Sequence, residues 1–250
     1  MKENLVQYIY GIADNALILG QRLGELCGHG PNLEVDIAMT NIALDLLGQT
    51  RSYYQYAAKL SGENATEDTI AFLRSEREYK NVLLVEQPNT DFAYSIGRQF
   101  LYDVYHLLLL TELQNSNDET LAAIAKKSIK EVSYHQRFSS DWIKRLGDGT
   151  EESHSKIQTA INDLWTFTDE LFHQTDADKA MVSAGIGVDV TQLKEAFYHK
   201  VSEILQEATL QIPDMKYFQK GGKQGIHSEH MGYLLADLQY MQRTFPNMNW

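Results

Sequence analysis

The stretch FLYDVYHLLLLTEL, residues 100–113, has apolar residues on every side of a helix rather than along one stripe. A helix of that kind is stable only when neighbours cover several of its faces, so the segment predicts the inner helix of a bundle. Its polar exceptions therefore carry information. Gln99, Asp103 and His106 fall at i, i+4 and i+7 and share one face. Asp103 and His106 also stand in the i, i+3 relation that presents a carboxylate and an imidazole together in helical di-iron bundles.

Outward from this segment the pattern stays helical. Only 4 prolines interrupt 250 residues, and apolar positions recur at three and four rather than at two, which predicts an all-α chain. Helices are expected over about 3–27, 33–60, 91–114, 118–146, 150–173, 189–209 and 228–243, with shorter helical material between 67 and 84. CGHGP at 27–31 stops the first helix, and Thr150 with Glu151 and Glu152 starts another. Nothing reads as a linker, so residues 1–250 are expected to form one domain. KGGKQG at 220–225 reads as a flexible connector.

Composition narrows the function classes. A formal net charge of −12, with no basic stripe, argues against nucleic acid and against an anionic membrane surface. The single cysteine, Cys27, forms no internal disulfide and belongs to no zinc-binding pattern, which points to a reducing cytoplasm. The N-terminal apolar run breaks at Asp14 and Asn15, so no secretory leader is expected. The run around HLLLL falls well short of the roughly 20 apolar residues that span a bilayer.

A second carboxylate–imidazole pair lies in EVSYH, where Glu131 and His135 are i, i+4; His135 belongs to a core-facing series Leu121, Ile124, Ser128, Val132, His135, with Glu131 at its margin. A bundle di-iron centre needs about four carboxylates and two imidazoles. The other helices do not supply the remainder. No histidine occurs between His29 and His106, and the mid-helix carboxylate Asp45 is followed by Gly48 and Gln49 at i+3 and i+4. After Glu131 the i+3 position is Tyr134, with the imidazole slipped one place further. Three readings stand: a functional metal pair; a buried polar network balanced by protonation or by Arg51, Arg98 or Arg137; or pairs that face solvent or a partner. The deficit favours the network. His227 and His230 in HSEH are accounted for by a helix start, with Ser228 as cap.

Two long runs, GHGPNLEVDIAMTNIALDLLGQTRSYYQYAAKLSG at 28–62 and GKQGIHSEHMGYLLADLQYMQRTFP at 222–246, resemble the C-type subunits of bacterial phenylacetyl-CoA epoxidases. RQFLYDVYHLLLL, KEVSYHQRFSSDWIKRLGDGTEES and DLWTFTDELF fit the same family, so the resemblance spans nearly the whole chain. It implies a ferritin-like helical bundle with additional C-terminal helices. It implies membership of a monooxygenase complex of phenylacetate degradation in which a homologous A-type subunit carries the di-iron site and a reductase delivers electrons from NADPH. The C-type subunit is then a structural partner of the A-type subunit, with no cofactor of its own and the capacity to self-associate when alone. Positions matching the Glu-x-x-His of the active paralogue fall around Leu47 and Thr50. On this reading Asp45, Asp103, His106, Glu131 and His135 are remnants of a metal site, and SYYQYAA at 52–58 is a candidate partner surface. The alternative is an autonomous di-iron oxygenase or ferritin-like iron-binding protein.

Overall fold

The helices begin where the sequence supplies caps. Asn32, Asp91 and Asp118 each accept a backbone N–H of the first turn, and Thr66, Thr150 and Thr175 form reciprocal capping boxes. The computed structural model describes residues 1–62, 64–246 and 248. The helices are α1 (Lys2–Gly24), α2 (Leu33–Ser61), α3 (Glu67–Phe72), α4 (Phe92–Leu113), α5 (Glu119–Gly147), α6 (Glu151–Trp165), α7 (Asp176–Ser183), α8 (Lys194–Glu207) and α9 (Glu229–Thr244). Among the described residues there is no strand, and no helix is long and apolar enough to cross a membrane. The all-α expectation holds, and the fold is ferritin-like.

The chain forms two compact units, Met1–Glu86 with Gly221–Trp250, and Gln87–Lys220. The first is built on the α1–α2 pair, with α3 and α9 against it. Ile9, Ile12, Ile18 and Leu19 of α1 and Met39, Ile42, Leu46 and Tyr53 of α2 form its core. The second is built on α4 and α5, with α6 and α8 alongside. Phe100, Leu101, Tyr102, Leu110 and Leu113 of α4 are fully buried there, as the all-round apolar pattern predicts.

Three differences from the sequence reading have physical causes. Residues 79–87, which follow the short turn Glu76–Glu78, are buried apart from half-buried Lys80 and are not helical. Side chains of α1 satisfy part of their backbone: Lys80 N–H donates to Asp14 Oδ2 at 2.7 Å and Val82 N–H to Asn15 Oδ1 at 2.8 Å. The polar pair that breaks the apolar run of α1 is thus the docking point for this segment. Helix α6 stops at Trp165, well before the expected 173. Thr166 gives its carbonyl to Gln219 N–H and its hydroxyl to the Tyr217 carbonyl, and Leu171 and Phe172 are buried from a short 3-10 turn. Helix α7, absent from the sequence reading, is announced by the Thr175–Asp178 box.

The glycine run is not a loose tether in its described part. Gly222 packs so closely on residues 81–83 that a Cβ there would run into the Asn81 carbonyl. Gly225, in the left-handed region at φ +80°, leaves no room for a Cβ beside the Arg77 carbonyl. These glycines seat the chain at the start of α9 rather than loosening it.

Candidate functional site

The polar face of α4 meets α5 inside the second unit. Asp103 is fully buried, and both its carboxyl oxygens are occupied: Gln99 Nε2, one turn earlier on α4, donates to Oδ1 at 2.6 Å, and Ser139 Oγ of α5 donates to Oδ2 at 2.8 Å. Burial pushes this carboxyl well above the usual carboxylate range, and the two hydrogen bonds only partly offset it.

One turn further along, His106 is also fully buried, with its ring tilted against Tyr102 at 5.1 Å between centroids. Neither ring nitrogen has a hydrogen-bond partner among the described residues. Burial, with a smaller contribution from the neighbouring His135, pushes the imidazole down to about 3. His135, on α5, is fully buried as well, and Glu131, one turn before it, is half-buried. Asp45 is half-buried on α2, in the first unit.

The sequence reading expects Asp103 to be held by His or Tyr and balanced by an arginine or by protonation. The structure gives Asp103 the donors Gln99 and Ser139 in place of His or Tyr. Arg51 pairs with Glu67 at 3.3 Å, and Arg137 is exposed over the Tyr134 ring. Arg98 is buried and donates to the Gln87 carbonyl and to Asn89 Oδ1. Ser139 was legible in principle: it continues the series 128, 132, 135 by four.

A di-iron centre, which the fold family implies, can be tested against these donors. Between α4 and α5 the donors are the Asp103 carboxyl, with both oxygens engaged, the buried imidazoles of His106 and His135, and half-buried Glu131. Among the described residues no group of three or more His, Cys, Asp and Glu is placed to hold a metal ion. The set does not fit two transition ions, which need anionic ligands to balance their charge.

Sequence reasoning missed two buried charge clusters in the first unit. Asp14 receives Arg74 bidentately, Nη2 to Oδ1 at 2.6 Å and Nη1 to Oδ2 at 3.0 Å, and Tyr54 OH at 2.5 Å. The Arg74 guanidinium also lies 4.5 Å from the Tyr10 ring centre and 4.2 Å from that of Tyr79. In the second cluster the Glu86 carboxylate takes Asn81 Nδ2 at 2.9 Å, Ser228 N–H at 2.6 Å and His227 Nδ1 at 2.8 Å. Ser228 caps α9 without using its hydroxyl; the nearby carboxylate takes the anionic place at the helix N-terminus. Neither arginine nor glutamate lies in a local pattern that announces its partner, because the partners are some 60 and 140 residues away.

SYYQYAA divides between faces. Tyr53, Tyr54, Ala57 and Ala58 fill the core of the first unit, and Ser52, Gln55 and Tyr56 are half-buried.

The architecture is that of an all-α, ferritin-like helical protein with a carboxyl and two imidazoles buried between α4 and α5. The chain belongs to the phenylacetic acid catabolic protein family, whose model matches residues 1–250. The C-type subunit of the 1,2-phenylacetyl-CoA epoxidase of Escherichia coli (strain K12) is 50% identical to it over 246 residues, covering 98% of this chain and 99% of that one.

Proposed function

We propose that this chain is the non-catalytic structural subunit of a cytoplasmic phenylacetyl-CoA epoxidase complex, pairing with a homologous di-iron catalytic subunit that a separate NADPH-dependent reductase supplies with electrons. The observation that carries the reading is the end-to-end match at 50% identity to the C-type subunit of such an epoxidase. The donor set supports its non-catalytic half: Asp103, its carboxyl raised by burial and both oxygens engaged, His106, its imidazole pushed down by burial, and His135, buried on the facing helix, are what is left of a metal site short of carboxylates. Glu131 belongs to the same remnant. In this reading the chain contributes packing surface rather than chemistry, and the iron, the oxygen activation and the substrate reside in the partner.

Metal analysis and co-purification test the two halves separately. The chain alone, dialysed against chelator, is expected to retain no stoichiometric iron; close to two irons per chain would overturn the non-catalytic assignment. Co-expressed with the catalytic subunit, it is expected to elute with it as one species on size exclusion. Independent elution of the two at micromolar concentration would remove the scaffold role.

A further inference from the structure

Within the first unit, α1 and the segment that follows α3 enclose an open cleft of about 600 Å³. Gln7 and Tyr10 of α1 line it together with Arg74, Arg77, Glu78 and Lys80 of that segment. Its innermost cation is already committed. Every N–H of Arg74 is taken, by Asp14, by Tyr54 and by the Ile70 and Glu78 carbonyls. The two outer cations are not. Neither Arg77 nor Lys80 forms an ion pair among the described residues, and Lys80 Nζ makes one hydrogen bond, to the Arg77 carbonyl at 3.1 Å.

The acids on either side of Arg77 are turned elsewhere. Glu76 faces α9, where its Oε2 lies 3.3 Å from the position a Cβ would take at Gly232. Glu78 lines the cleft but bends back on Ser75, accepting its N–H and its hydroxyl at 2.7 Å each. In a chain with a formal net charge of −12 carboxylates are abundant, so two neighbouring cations that none of them reaches call for another partner. The backbone that carries them is also fixed. Gly225 closes on the Arg77 carbonyl with no room for a Cβ, Lys80 N–H is held by Asp14, and Tyr79 between them is fully buried. Both side chains project from a rigid base, which lowers the cost of ordering them on a ligand.

We propose that this cleft binds a phosphate monoester carried on a planar ring. A phosphate dianion uses both charges, with the Arg77 guanidinium as a fork and the Lys80 ammonium as a point charge, whereas a carboxylate is satisfied by the guanidinium alone. The cleft is far larger than a bare phosphate. Half-buried Tyr10 gives the remainder of the ligand flat apolar surface, and the half-buried Gln7 amide gives its edge a donor and an acceptor. The site lies in the first unit and does not depend on the structural role proposed above.

Isothermal titration calorimetry on the intact chain tests this, with adenosine 5′-monophosphate, phenyl phosphate, adenosine and inorganic phosphate as probes. At least one of the two ring phosphates is expected to bind at a stoichiometry near one, and more weakly as salt is raised. Adenosine and inorganic phosphate are each expected to bind about tenfold more weakly or worse, because each lacks one half of the ligand. Arg77→Gln combined with Lys80→Gln is expected to lose about tenfold or more in affinity for the ring phosphate, with unchanged helical circular dichroism and melting temperature. Absence of binding by both ring phosphates at millimolar concentration overturns the proposal. So does a double variant that binds as the parent does, or inorganic phosphate or adenosine binding as tightly as the ring phosphates.

Discussion

The His227 imidazole lies between two acceptors, with Nδ1 2.8 Å from the Glu86 carboxylate and Nε2 3.1 Å from the Tyr79 carbonyl. A ring facing an acceptor at each nitrogen donates from both and is therefore the imidazolium. Burial opposes the charge, but the Glu86 carboxylate, the Tyr79 carbonyl and more distant Glu76 outweigh it and hold the ring above the ordinary histidine range. Among the described residues His227 is the one cation paired with that carboxylate.

The stability this pair contributes is consequently fully present below the unfolded histidine pKa of about 6.5 and is lost as pH rises through the higher folded value. His227→Ala is expected to cost about 3 kcal/mol at pH 6 by leaving Glu86 buried without its cation. The gap between parent and variant should narrow above neutrality. Urea unfolding at a series of pH values measures it; a gap that widens with pH would contradict the imidazolium assignment.

Asp103 titrates in the opposite chemical sense but with the same direction of stability. Its folded carboxyl is raised, so the stability it gives is complete below the unfolded value of about 3.9 and declines as pH rises toward the folded one. Asp103→Asn keeps the shape and accepts Gln99, while Ser139 turns to accept from the new amide. The variant is expected to gain on the parent as pH rises from 4, by up to about 1.4 kcal/mol per pH unit within the titration window. Parallel denaturant titrations of the two chains decide the point.

Arg74 and Asp14 form a bidentate pair at the junction of α1, α2 and the segment after α3. Removing one member strands the other, so Arg74→Ala is expected to cost about 3–5 kcal/mol. Arg74→Met combined with Asp14→Leu should cost clearly less than the sum of the single changes. The coupling energy from the double-mutant cycle is the readout, and near-additivity would show that the pair does not act as a unit.

Gly222→Ala places a methyl against the backbone of residues 81–83 and is expected to lose about 2 kcal/mol. Gly48→Ala, in open space, is expected to raise the stability of the dilute monomeric chain by up to about 1 kcal/mol. Melting temperatures of the two variants should therefore move in opposite directions.

What could be read from the sequence was what depends on neighbours a few residues apart. Helix period, caps and the all-round apolar character of residues 100–113 gave the all-α class, the inner helix and the shared face of Gln99, Asp103 and His106, because i, i+3 and i, i+4 relations are fixed by helix geometry alone. The shortage of carboxylates and imidazoles at ligand spacing was visible for the same reason. Only the tertiary structure decided which groups end up alone and which paired. It set Ser139 against Asp103 and raised the carboxyl's pKa by burial, seated the backbone of residues 80–82 on Asp14 and Asn15, brought His227 to Glu86 across 141 residues, and left one apolar face of α2 uncovered. Burial and long-range pairing are properties of packed elements, and a local pattern holds no information about which distant segment will arrive to satisfy a buried charge.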